Sequence, residues 1–369
     1  VRSSTSSSKT SHPETSDYVA PERAQCFTSI HAAERVPWGP WLRTWVVALL
    51  LAGGFLGGLE VYARRQGHRP TVVDDKALWA LKRHRVYDNG DRKPFVVLGA
   101  SRIQLGFSPS AFETRFADYR VIDLAVLGAH PMATLRDLAN DHNFRGVVLC
   151  DMSEPYFERR FREQQQPWVN FYHNRYDESW WRDDETNRTL STYLQQHLAI
   201  LNPDLRLDRM AVALLRDRRF PSPNWHITHK DRSVSADFSL TDSTGMRDMF
   251  IERADHERYV PTPEDWLTEA LEVEAMAQQI EARGGRVVFL RMITTGKYYE
   301  NDIKFYPREK YWDVLAGQTS VAMIHFADVP TLAGFDCPDG SHLDAKDVPA
   351  FTIALGEELQ RRGVLKTGS

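Results

Sequence analysis

Cysteine is scarce, with three residues in 369, which excludes a disulfide scaffold and any cysteine-rich zinc module. A dominant charge is missing too. Lys and Arg total 46 against 50 Asp and Glu, so the net charge is -4 and no basic surface for nucleic acid is expected. A mean hydropathy of -0.46 excludes a polytopic membrane protein, and internal repeats, hence a solenoid, are absent. What is present is ordinary for a globular chain: 42% hydrophobic and 26% charged residues. The length suits two to three domains, or one α/β domain enlarged by an insertion.

One long apolar run breaks the pattern. From Thr44 to Leu59, sixteen residues carry no charge. They would span roughly 24 Å as a helix, somewhat short of the ~30 Å hydrocarbon core. Trp38, Trp41 and Trp45 at one end and Tyr62 at the other occupy the positions that membrane interfaces favour, and snorkelling by Arg43 would extend the span. The expectation is a single anchor over 38–63; a cleaved signal or a buried helix are the other readings of the same run. Arg64, Arg65 and Arg69 follow it while Arg35 and Arg43 precede it, so the charge count does not favour an N-terminus on the cytoplasmic side. Residues 1–37 read as a disordered tail, rich in serine and without period. A first residue of Val suggests a fragment or an alternative start codon.

Residues 64–92 read as a linker with a helix, and 93–369 as the main domain. Strands are expected at 95–98, 120–123, 146–150, 286–290 and 321–326. Between them, Ser110 to Glu113 make a capping-box pattern, and helices are expected over 131–142, after Thr262-Pro263 and over 346–362. Strand–helix alternation of this kind implies a three-layer α/β/α, flavodoxin-like fold with a parallel sheet. Residues 152–260 lose the alternation. They form an insertion of helical and aromatic character, with Trp168, Trp180, Trp181, Trp225, Tyr172 and Tyr176 either offering sugar platforms or packing a small core of their own.

Ligands of open parallel sheets bind beyond the carboxyl ends of the strands. Three such loops carry chemistry here: Gly99-Ala100-Ser101 after the first strand, Gly128 after the second, and Asp339-Gly340-Ser341-His342 after the last. Serine needs a base to become a nucleophile, and imidazole needs an acceptor to fix its tautomer. Each residue also has a bland role: Ser101 and Asp339 as turn residues, His342 as a helix cap or surface partner of Asp344, and Gly128 as a turn glycine. Arg102 is a candidate for an anionic substrate or for a salt bridge, and Asp151, after the third strand, is a second candidate for substrate binding. His226 and His229 lack the helix and the carboxylates that a metal site would need, so no metal is expected. Cys150 and Cys337 should lie near the same sheet edge, more readily as free thiols than as a disulfide.

Gly99, Ser101, Gly106 and Pro109 resemble the first block of the SGNH (GDSL-type) hydrolases, GxSxxxxGxxP, and Asp339 with His342 resemble the last, DxxH. The resemblance covers roughly 94–150 and 285–362. It implies Ser101 as nucleophile, His342 as base, Asp339 as its orienting carboxylate, and the amides of Ser101 and Gly128 as oxyanion donors, with no cofactor. The third block departs from the family, because Cys150-Asp151-Met152-Ser153 holds no Asn where an oxyanion donor is usual. Similar departures occur in a membrane-anchored branch resembling bacterial polysaccharide O-acetylation proteins. That likeness implies a serine esterase or O-acyltransferase, probable acyl group acetyl, acting on envelope or extracellular polysaccharide. It also implies an inner-membrane acyl-donor partner, one helix in the bacterial inner membrane and a periplasmic catalytic domain. The alternative is a non-catalytic polysaccharide-binding or scaffold protein.

Overall fold

The computed structural model describes residues 41–87, 90–175, 178–256 and 259–366. The expected tail, Trp38 and Tyr176 lie outside them, as do the side chains of Trp180 and Trp181. The chain divides into two units, Val1–Phe55 and Leu56–Ser369. A helix, Trp41–Arg65, contains the apolar run; it is the one helix among the described residues long and apolar enough to cross a membrane.

Among the described residues there are seven strands: β1 (Lys93–Leu98), β2 (Tyr119–Asp123), β3 (Val147–Asp151), β4 (His226–Thr228), β5 (Val234–Ala236), β6 (Arg286–Arg291) and β7 (Ala322–His325). β4 and β5 form a small antiparallel hairpin, and the others form one parallel sheet in the order β2-β1-β3-β6-β7. This is the flavodoxin-like order, which reverses direction between β1 and β3, so a crevice opens at the carboxyl ends of the strands beside β1.

Each central strand is apolar on both faces because helices cover both. Val96, Leu98, Val148, Cys150, Val287 and Phe289 face one layer, built on Leu135, Trp266 and Ile280. Phe95, Val97, Leu149, Val288 and Leu290 face the other, built on Phe112, Phe351 and Leu355. The period-two alternation of a strand thus sorts one run of residues into two cores. Cys150 and Cys337, both buried free thiols, pack in the cores on opposite faces of the sheet.

The segment 64–92 holds the helix expected in it, Lys76–His84, which buries Trp79 in the first core, and the indole donates to the Leu124 carbonyl at 3.0 Å. The short helix before β2 starts at Pro109 and is capped by Ser108, because proline at the first helical position fixes the start two residues earlier than a capping box on Ser110 implied. Glu113 instead accepts the Val121 amide at 2.8 Å. Within the insertion, Val169 and Tyr172 join the first core, while Trp225 packs beside Phe238, Val234 and Ala236. Those aromatics are core rather than platform.

Asp123 ends β2 almost fully buried, its Oδ1 accepting the Ala125 amide at 2.9 Å. Burial raises its pKa to about 7, against the lowering pull of Arg232. A folded-state pKa above the unfolded value means that its stabilising share is complete below about pH 4 and is lost as pH rises through 7, a span of about 4 kcal/mol. Asp123→Asn removes this proton linkage. The difference in Tm between variant and parent is therefore expected to move in the variant's favour from pH 5 to pH 8; a difference independent of pH would refute the shift.

Candidate active site

The loop after β1 turns sharply. Gly99 has φ +154°, and a Cβ there would lie 2.4 Å from Ile103 Cγ2 and 2.8 Å from Asp151 Cβ, so only glycine lets the strand pass into the next helix so closely. Ser101 is the first residue of that helix, Ser101–Gly106, and stays half-exposed at the carboxyl end of the sheet. Its N–H precedes the intrahelical ladder and has no backbone acceptor.

The segment after β7 returns to the same place. Gly340, at φ +81°, turns the chain tightly against Tyr298, and its carbonyl accepts the Thr295 amide at 2.9 Å. Asp339, fully buried, organises the rest of the turn. Its Oδ1 accepts the amides of Ser341 at 2.9 Å and His342 at 2.8 Å. Its Oδ2 lies 2.7 Å from His342 Nδ1, and His342 Nε2 lies 2.8 Å from Ser101 Oγ. Burial alone would raise the Asp339 pKa, but hydrogen bonds from the His342 ring and the two amides outweigh it and hold the carboxyl below its usual range. An ionised Asp339 accepts the Nδ1 proton, which leaves Nε2 as an acceptor for the serine hydroxyl.

Arg102 ties the two halves together. Its Nε donates to Ser341 Oγ at 3.1 Å, and its Nη2 donates to Tyr298 OH at 3.1 Å and lies 3.9 Å from Asp302. The side chain is buried, so it braces the Asp339–His342 turn against the helix that begins at Ser101, with Nη1 left without a hydrogen-bond partner among the described residues. Asp151 is completely buried behind Gly99, with the Met292 amide beside its carboxylate. Burial pushes its pKa up to about 6 against the lowering fields of Arg102 and Arg291.

Gly128 stands in the turn closed by the Val126–Ala129 bridge, half of the crevice formed by the loops after β1 and β2. Its N–H has no backbone acceptor. The two loops are joined by Val126 N–H to the Gly99 carbonyl at 3.1 Å. A residue without any sequence signal strengthens the joint: buried Gln165 donates from Nε2 to the carbonyls of Gly99 and Ala129, both at 3.0 Å, and accepts from Thr134. Phe250, also from the insertion, places its ring 6.2 Å from that of His342. His226 lies on β4, and the His229 ring contacts Ser235 Oγ at 2.7 Å. No cluster of three metal-ligating side chains occurs among the described residues. A cavity of about 650 Å³ is lined by Arg83, Asp137 and Tyr172 and by none of Ser101, His342 and Asp339.

No family model matches this chain, and no curated protein matches it. Among solved structures it is similar to TesA, at 14% identity and a TM-score of 0.34, over 73% of this chain and 99% of that one.

Proposed function

We propose that the protein is an SGNH-like serine esterase or O-acyltransferase held at a membrane. The observation that carries the reading is the continuous hydrogen-bond chain from Ser101 through His342 to Asp339, in which Ser101 meets a histidine 241 positions away in sequence. In the proposed reaction the Ser101 hydroxyl attacks an ester carbonyl as His342 Nε2 takes its proton, and the imidazolium then protonates the departing alkoxide. The carbonyl oxygen gains charge in this step, and the free amides of Ser101 and Gly128 are its proposed donors. The acyl-serine, acetyl in the simplest case, is released by water or by a sugar hydroxyl that returns a proton through the same histidine. No cofactor enters these steps.

Water exclusion decides between hydrolysis and transfer. The apolar helix supports membrane attachment, and the resemblance to polysaccharide O-acetylation proteins supports a periplasmic glycan acceptor and an acyl-donor partner in the inner membrane. The test is covalent trapping. The detergent-solubilised full chain is expected to label with a fluorophosphonate at Ser101 and to show a burst with p-nitrophenyl acetate, and Ser101→Ala should do neither. Equal labelling of both proteins removes Ser101 as nucleophile. No labelling of either, with the fold intact, moves the reading to a glycan-binding or scaffold protein, which the missing third-block amide favours.

A further inference from the structure

The insertion contains a helix, Leu207–Val212, that runs on as a wider turn over Ala213–Asp217. Its apolar side chains stand in water: Leu207 is 80% exposed, Val212 58%, Leu214 52% and Leu215 84%. Single exposed leucines are ordinary, but three exposed leucines, Leu207, Leu214 and Leu215, on one face within nine residues make a patch that calls for a partner. Positions 207, 211, 214 and 215 share one face at helical spacing, while Arg209 and Arg216 fall on the opposite one. Residues 204–219 hold five Arg against three Asp, and Arg64 and Arg65 add to the positive side.

The location of this patch identifies what covers it. Met210 and Phe220 pack on a small cluster of Ala63, Ala199 and Leu205, so the helix is seated on the last turns of the membrane-length helix. The seat is well made. Tyr62 meets Phe220 edge-on at 5.3 Å, Glu60 accepts the amides of Ala199 at 2.9 Å and Ile200 at 3.0 Å, and Arg64 donates to the His197 carbonyl at 2.8 Å. An apolar face flanked by arginines, fixed to the root of a helix that enters lipid, matches the chemistry of an anionic bilayer surface.

We propose that residues 207–217 form a second membrane contact, lying in the plane of the bilayer with Leu207, Leu214 and Leu215 at the acyl boundary and the arginines at lipid phosphates. This rests on the reading of Trp41–Arg65 as an anchor. A single span leaves a domain free to swivel; a second contact fixes which side of the domain faces the membrane.

The test uses the full chain in vesicles of phosphatidylcholine and phosphatidylglycerol, in a Cys26→Ser background, since Cys150 and Cys337 are buried. An environment-sensitive fluorophore is placed at Leu215→Cys and, as control, at exposed Glu357→Cys on the terminal helix. Nitroxide lipids labelled near the headgroup are expected to quench the Leu215 probe several-fold more than the Glu357 probe. Equal quenching at the two positions overturns the proposal. So does a Leu215 probe that lipid leaves untouched but that becomes shielded as protein concentration rises, which would assign the face to a second copy. A probe at Leu50→Cys, read with deep nitroxides, reports on the anchor separately, and the Leu215 result decides the surface contact whichever way Leu50 reads.

Discussion

Asp339→Asn is expected to lower acyl turnover by on the order of 10⁴-fold while leaving the fold intact. The two oxygens of Asp339 have separate duties, and asparagine keeps only one of them. Its carbonyl oxygen can still accept the amides of Ser341 and His342, the bonds that shape the turn. Its NH₂ group then points at His342 Nδ1, where a carboxylate oxygen now lies 2.7 Å away. A donor at that place makes Nδ1 the acceptor and puts the ring proton on Nε2, facing Ser101 Oγ. The base is then occupied by its own proton and cannot take the serine's. Because the native carboxyl is held below its usual pKa, Asp339 stays ionised through the ordinary carboxylate range. The measurement is kcat for an activated acetyl ester beside the thermal melt of each protein. A loss below tenfold with an unchanged melt would remove Asp339 from the proton chain.

The residues of that chain were legible in the sequence because they combine short motifs with strand ends. FVVL before Gly-Ala-Ser marks a buried strand stopping at a candidate nucleophile, and Asp-Gly-Ser-His follows the last strand of the same alternation. The five strands of the sheet were legible for a related reason, since a strand covered on both faces is a continuous apolar run bounded by breakers. What supports the site was not legible. Gln165 sits in a run of three glutamines without period, yet it bonds to carbonyls 66 and 36 residues away. Arg102 was visible as a charge beside Ser101, but its partner Ser341 is 239 residues distant. Such contacts are made by side chains reaching across a fold already formed, and local spacing carries no record of them. The placement of Cys150 was recoverable in principle. Leu98 is its register partner, and strand parity assigns both to the face opposite Val97 and Leu149.

Arg232→Ala is expected to cost about 3–5 kcal/mol of stability, since it breaks a buried charged network by removing one partner. Arg232 comes from the hairpin of the insertion, after β4, and is fully buried. Its Nε and Nη2 donate to the two oxygens of Asp74 at 2.7 and 2.9 Å. Its Nη1 donates to the Asp123 carbonyl at 2.9 Å, and Nη2 also to the Ala125 carbonyl at 2.8 Å. Truncation strands one carboxylate and two carbonyls together. It also removes the positive charge that opposes the effect of burial on Asp123, so that carboxyl is driven still further up. The two carbonyls lie at the end of β2, just before the Gly128 turn, and their release is expected to reduce acyl turnover even where the variant remains folded. Backbone strain can be separated from this network, because Arg232 has φ +76°, a region that costs residues other than glycine roughly 1 kcal/mol. Arg232→Gly should therefore be less destabilised than Arg232→Ala by about that amount, though both lose the guanidinium. Urea unfolding of the three proteins measures both quantities. A loss below about 1 kcal/mol in Arg232→Ala would show that the insertion rests on the sheet edge without holding it. The expected loss makes the insertion a structural support of the loop after β2, which carries Gly128.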